Sequence, residues 1–418
     1  MNIVLSRRVS SLGGYAFAEV DRLVGDLKKR GISPIDFGVG DPTTPTPEPV
    51  RRACARGLDE RASSGYPSYF GERPGNFDEL ARLNQHYADI AASIQAVTEE
   101  LLLNMARAVQ RETGLRRLCL AGGVGLNSVA NWKILRETGF EELYVHPAAG
   151  DSGGAVGAAL YAYHTVLGQP WKFVMEHAFW GEAYGDAEIR AFLDRENVRY
   201  ERLGDDRLLD RTVDALTAGQ VVGWFQDRFE WGPRALGHRS ILADPRRADM
   251  KDIVNTKIKF REPYRPFAPS VLNEHVHAYF DAPGVERQYP ARFMLLVVDV
   301  KPSKYDVIPA VTHVDGSGRL QTVLREDNSR YYDLIKRFGE ATGVPVVLNT
   351  SFNLRGEPIV NTPPEAYATF ARSGMDTRQL RRAQDGRHPC LKRFERPAAA
   401  SASWASCWSS SGSASCGG

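Results

Sequence analysis

Residues 232 to 246 read GPRALGHRSILADPR, in which Arg234, His238, Arg239 and Arg246 crowd together and Asp244 alone opposes their charge. Gly232, Pro233 and Gly237 bend the backbone between them. Further basic residues follow at Lys251, Lys257 and Lys259, then in KFREPYRPFAPS, where Arg261 and Arg265 flank a turn-prone Glu-Pro-Tyr. Later, LNTSFNLRGEPIV supplies Asn349, Ser351, Asn353 and Arg355 just past an apolar run. Guanidinium forks recognise phosphate or carboxylate in bidentate fashion, and amides and hydroxyls fix the remaining oxygens. A small phosphate or carboxylate ester suits this set. A charge run is more commonly a solvated face, but these arginines alternate with Gly, Pro, Phe and Trp rather than with Glu and Lys. That composition forms pockets.

A second kind of chemistry lies in two glycine turns. AGGVGLN carries Gly122, Gly123 and Gly125, and AGDSGG carries Asp151 and Gly153 at a helix start. Glycine permits close backbone approach, and amides at a helix N-terminus favour phosphate oxygens. One such turn could serve only backbone geometry; two in succession, one with a carboxylate, suit a nucleotide. Asp151 could hold a metal, bond a ribose or cap its helix.

The elements that must position these residues are α/β in type. From Phe77, apolar residues at Leu80, Leu83, Tyr87, Ile90, Ile94, Val97, Leu101 and Met105 predict a long amphipathic helix ended by Gly114. Strands at 118–121 and 143–145 each run into a glycine turn and then a helix, which puts ligand groups at the carboxyl ends of strands. A second α/β unit starts near Tyr184, with a helix DRLLDRTVDALTAG, a strand VVGWF, strands at 293–300 and 344–349, and a helix over 331–341. An apolar strand at 35–39 opens the chain, and from Thr377 the text is Arg-rich and then Ser/Ala/Gly-rich, a composition that predicts a disordered tail.

Bulk properties exclude several classes. A net charge of +2 over 418 residues is too mild for a nucleic-acid binder read from electrostatics, and no nucleic-acid signature accompanies the aromatic-flanked arginines. Cys54, Cys119, Cys390, Cys407 and Cys416 show no metal spacing, and Cys119 sits in a strand as a packed thiol, so a reducing cytoplasm is expected. His86, His146, His164 and His177 are scattered. Neither a secretion signal nor a membrane span is read.

The strings DIAASIQAVTEE, LCLAGGVGLNSVAN, PAAGDSGGAVGAAL, GWFQDRFEWGPRALGHRSILADPR, KFREPYRPFAPSVL and LNTSFNLRGEPIVNTPPEA, from about Asp89 to Asp376, resemble the C-terminal two-thirds of the carbamoyltransferase family of nodulation-factor and antibiotic O-carbamoyltransferases. The resemblance implies that 77–183 is the C-terminal half of an actin-like (ASKHA, Kae-type) domain and 184–376 a YrdC-like α/β domain. In such enzymes the YrdC-like domain joins carbamoyl phosphate to ATP, giving carbamoyl adenylate with loss of pyrophosphate. The actin-like domain then passes the carbamoyl group to a hydroxyl or amine of a small acceptor. Carried over, Arg234, Arg239, Lys257, Arg261, Arg265, Asn349, Ser351 and Asn353 would bind carbamoyl phosphate, with Arg234, Arg265 and Ser351 catalytic. Gly122, Gly123, Asn127, Asp151 and Gly153 would bind the nucleotide, and Asp151 a divalent iron or magnesium ion.

The family's early His-x-x-x-His metal motif has no counterpart before Asp151. In its place residues 1–70 resemble the opening of a fold-type I aminotransferase, through SLGGYAFAEVDRL, IDFGVGDPTTPTPEPV and GYPSY. The lysine and acid that pyridoxal phosphate requires belong to regions that resemblance does not reach. The expectation is a fused or truncated carbamoyltransferase with a frame-shifted tail from 377. The alternatives are a pyridoxal-phosphate aminotransferase remnant and a non-catalytic nucleotide- or RNA-binding remnant.

Overall fold

The computed structural model describes residues 77–171, 174–260, 265–380 and 393–395. The aminotransferase-like stretch 1–70, Arg261 and most of the tail lie outside the described residues. The chain divides into two compact units, 1–85 and 86–418, and the elements below belong to the second apart from the first turns of one helix.

The periodic run from Phe77 forms α1 (Phe77–Thr113). Its buried contacts are made by Leu103 and Ala106 against Ile134 and Phe140, whereas Ile94 is 58% and Leu101 54% exposed. From Ile90 to Met105 the regular stripe read from the sequence is therefore the solvent side. Strands β1 (Arg117–Leu120) and β2 (Glu142–Val145) pair in parallel, Leu118 beside Leu143. Between them runs α2 (Ser128–Glu137), and β2 leads to the short α3 (Gly154–Tyr161), which buries none of its residues.

The remaining strands form one mixed sheet. They are β3 (Val222–Phe225), β4 (Arg239–Ala243), β5 (Ala268–Leu272), β6 (Phe280–Asp281), β7 (Leu296–Val300), β8 (Ser317–Val323), β9 (Val346–Ser351), β10 (Thr377–Leu380) and β11 (Arg393–Glu395). Their order is β11-β10-β3-β4-β9-β5-β8-β7-β6, with β10–β3 and β5–β8 parallel and the other pairs antiparallel. Ordered structure thus runs past the boundary expected at 377. The reason is backbone rather than side-chain chemistry: the free edge of β3 offers unpaired N–H and C=O groups that β10 satisfies.

Helices cover both faces, as an α/β layer requires. α5 (Asp205–Thr217) and α6 (Ser329–Thr342) place Leu209, Val213, Leu334 and Phe338 on Val222, Trp224, Leu242 and Val347. On the other face, α4 (Asp186–Arg195) and α7 (Pro363–Arg372) bring Ile189, Phe192, Ala366 and Phe370 to Ile241, Ala243, Val346 and Leu348. Start signals are local. Asn328 caps α6 by accepting from Tyr331 N, and Thr362 with Glu365 forms a capping box before α7.

Candidate functional site

Strand alternation carries polar residues onto one end of the α5–α6 face. On β9, Val347 lies under those helices, and Asn349 and Ser351 continue the same side. Leu242 pairs with Asn349, Ser240 with Ser351, and Ser270 with Gln321. Arg319 and Ser317 share the side of Gln321. These groups bond to one another: Ser270 Oγ donates to Gln321 Oε1 at 2.6 Å, and Asn349 Nδ2 donates to the same oxygen at 2.9 Å.

Above this end runs the 226–238 connection, whose feet are joined by Gln226 N donating to His238 O at 2.9 Å. Asn349 Nδ2 also donates to Ala235 O at 3.2 Å, and Gln321 Nε2 to Leu236 O at 3.0 Å. The preceding residue is Arg234. Its Nε is buried with no hydrogen-bond partner among the described residues, and burial lowers its pKa. Such a group is costly unless an anion joins it. Gly237 has φ +102°, and a Cβ there would overlap the Tyr331 ring, so only glycine fits the turn.

Two expected anion ligands make hydrogen bonds within the fold. Arg239 is fully buried on the central strand β4, not in the loop. Its guanidinium donates to Gln226 O at 2.5 Å and Asp227 O at 3.2 Å and lies 3.7 Å from the Phe225 ring centroid. Burial pulls it down to about 10. Asn349 is likewise enclosed, its NH2 shared among Ala235, Ser270 and Gln321. Arg239, on the core strand RSILA, engages its guanidinium with the backbone around it, whereas Asn349, on β9, has its NH2 engaged but its Oδ1 buried without a partner among the described residues.

Lys257 is exposed, and Arg265 is part-buried with its carbonyl accepting from Asn255 Nδ2 at 3.0 Å. Ser351 and Asn353 are brought together by Lys259, which the sequence reading passed over for Lys257. Its buried Nζ donates to Ser351 O, to Ser351 Oγ at 3.2 Å and to Asn353 Oδ1 at 2.7 Å. Periodicity could have signalled this choice, because only Lys259 continues the buried side Asn255–Ile258 toward the core. Arg319 and His313 were also missed. The alternation in SGRLQTV, which puts Ser317, Arg319 and Gln321 on one side, was the available signal.

Arg319, His313, Ser317, Pro266 and Phe267 line a cleft of about 610 Å³ closed on its far side by Trp132, Lys133 and Arg136 of α2 and by Gln95 and Glu99 of α1. Lys133 pairs with Glu99, and Arg136 with Asp299 at 3.2 Å. Burial holds His313 down to about 4, so it is neutral at ordinary pH.

The two glycine turns meet. Gly122 N donates to Ala149 O at 2.8 Å, and a Cβ on Gly150 would lie 3.7 Å from Gly123 Cα. Gly153 has no room for a side chain against Ala148 O. The 226–238 connection also reaches this place, since Trp231 Nε1 donates to Ser152 O at 3.3 Å. Asn127, by contrast, caps α2 through Ala130 N at 3.2 Å and exchanges hydrogen bonds with Gln95 at 3.0 and 3.1 Å. Its amide is thereby occupied in holding α1 to α2. Asp151 is exposed. Among the described residues no three His, Cys, Asp or Glu side chains gather as a metal needs, so these residues alone do not fit the expected ion. Nor is any described helix long and apolar enough to cross a membrane.

Comparison with known proteins bears on these motifs directly. The family model described as the carbamoyltransferase C-terminus matches residues 213–383, and that of the carbamoyltransferase N-terminus matches 70–160. The nodulation protein NolO of Bradyrhizobium diazoefficiens is 42% identical over 294 residues, which are 70% of this chain and 53% of that protein. An uncharacterised Synechocystis protein is 46% identical over 321 residues, 70% of this chain and 51% of its own. The 3'-hydroxymethylcephem-O-carbamoyltransferase of Streptomyces clavuligerus is 33% identical over 323 residues, covering 77% of this chain and 58% of that enzyme. The chain therefore spans about half the length of the curated relatives it matches. Among solved structures, full-length HypF in its phosphate- and nucleotide-bound form aligns at 16% identity with a TM-score of 0.29, over 44% of this chain and 24% of that one. Across residues 70–160 and 213–383, this chain belongs to the carbamoyltransferase family.

Proposed function

We propose that the chain activates carbamoyl phosphate with ATP and hands the carbamoyl group to a hydroxyl or amine of a small metabolite. By stoichiometry the first half-reaction consumes one water and yields carbamoyl adenylate, pyrophosphate and phosphate; the second transfers the carbamoyl group and releases AMP. The polar end of the sheet takes the phosphate and carbamoyl groups. Arg234 and Arg265 neutralise charge as phosphate departs, with Arg319 as a further cation beside the cleft, and Lys259 holds Ser351 and Asn353 toward the carbamoyl group. Preorganised cations in a water-poor site favour such a charge change because little reorganisation accompanies it. The turns at Gly122–Gly123 and Asp151–Gly153 take the nucleotide through backbone amides. On this reading the described part divides into an actin-like portion, 77–183, and a YrdC-like portion, 184–376, working in the cytoplasm without nucleic acid.

The observation that carries the reading is the Arg234 guanidinium, part-buried and unpaired among the described residues, beside a polar network in which Asn349 Oδ1 is also buried without a partner. It is tested by exchange of labelled pyrophosphate into ATP. Exchange that depends on carbamoyl phosphate is expected, and Arg234→Ala should slow it roughly a hundredfold. Folded protein that shows ligand-dependent stabilisation without exchange favours instead a binding remnant.

A further inference from the structure

We infer that Glu230 is a positioning residue for Arg234, an inference that rests on the carbamoyl phosphate reading and adds a role to it. Glu230 is 1% exposed and lies in no helix or strand, four residues before Arg234. One carboxylate oxygen, Oε1, accepts three backbone donors: Leu236 N at 3.0 Å, His238 N at 2.7 Å and Arg239 N at 2.9 Å. The side chain thus closes residues 231–235 into a small ring with Arg234 near its tip. The other foot of that ring is pinned by the Asn349 and Gln321 donors to Ala235 O and Leu236 O. Trp231 N, donating to Ala178 O at 2.7 Å, fixes the entry. With its neighbours held at both ends, the Arg234 backbone has one course open to it.

The choice of residue is informative. A loop that needed only three acceptors for its amides could have used backbone carbonyls or water. A fully enclosed carboxylate, with Oε2 left without a partner, is an expensive alternative, and burial raises its pKa. Charge-assisted bonds are shorter and stronger than neutral ones, so what the carboxylate adds over a neutral acceptor is stiffness of the ring, together with a countercharge for the buried Arg239 guanidinium. Stiffness matters where a cation must meet a departing phosphate at a fixed place.

The test is a double-mutant cycle on the full chain, read by carbamoyl phosphate-dependent pyrophosphate exchange. Glu230→Gln keeps shape and an accepting oxygen but removes the charge. It should raise KM for carbamoyl phosphate about tenfold and leave KM for ATP within about twofold. In an Arg234→Ala background the same change should move KM for carbamoyl phosphate by no more than about twofold, because the group it positions is gone. Should Glu230→Gln not be recovered folded, Glu230→Asp, which keeps the charge but withdraws it by one methylene, carries the same cycle with the same expectation. Equal effects of the Glu230 change with and without Arg234 overturn the inference, as does a matching rise in both KM values, which marks a merely structural role. If Arg234→Ala alone leaves both the exchange rate and KM for carbamoyl phosphate unchanged, the functional reading fails first and the inference falls with it, an outcome recognisable from that single variant.

Discussion

The region from α1 to α3 and the region built on the nine-stranded sheet are held together in different ways. The sheet has apolar layers on both faces, and Trp224, Phe267, Tyr331 and Phe338 are wholly enclosed. The α1–α3 region has a two-stranded sheet, a helix with its regular stripe open to solvent and another with nothing buried. Apart from the cluster of Leu103, Ala106, Ile134 and Phe140, inner residues of this region lean on the sheet region: Asn131 Nδ2 donates to Leu295 O at 3.1 Å, and Val145 and Leu143 share a cluster with Phe293 and Leu236. A motif can therefore be well formed on a scaffold that shares much of its packing with its neighbour. The glycine turns bond to each other through Gly122 N and Ala149 O, and the neighbouring loop adds a hydrogen bond to Ser152 O.

The largest effect expected from this contrast is at Phe338. Its replacement by alanine should lower unfolding free energy by about 3–5 kcal/mol, seen as an earlier urea midpoint. A loss below about 1 kcal/mol would mean that the sheet region is not the stable half. An intermediate effect belongs to His313, on the cleft wall shared by both regions. It is held to about 4 when folded, against an ordinary 6.5, so protonation favours the unfolded chain. Its stabilising contribution is complete above about 6.5 and is lost as pH falls from there toward 4. His313→Asn should flatten that part of the stability-versus-pH curve, and superimposable slopes for the two proteins would refute the assignment. The smallest effect is at Leu101, where replacement by serine should change stability by less than about 0.5 kcal/mol. A drop as large as that at Phe338 would erase the distinction between the regions.

Local signals made much of this architecture legible. The α5 and α6 periodicities, the VVGWF and VPVVLN strands and both glycine turns follow from spacing, because each depends on neighbours in sequence. What spacing could not supply is which polar residues the fold would consume. Arg239 and Asn349 looked like anion ligands, yet β4 and β9 sit at the centre of the sheet, a fact of long-range pairing. Lys259 was present in the basic run but distinguishable from Lys257 only by which side of a short helical turn faces inward. Arg319 stood alone in its stretch, without the clustering that drew attention to Arg234. Clustering overstated how many of the loop's cations are available, since Arg239 is engaged within the core.

β3 and β4 are antiparallel neighbours, and such neighbours can be joined by two residues. Here the connection takes 13, from Gln226 to His238. Because both feet and the carboxylate between them are tied, its length acts as a ruler. Insertion or deletion of a single residue between Trp231 and Leu236 would put the cation out of step with the row of amides beneath it, so this is a connection in which homologous chains should vary in letters but not in number.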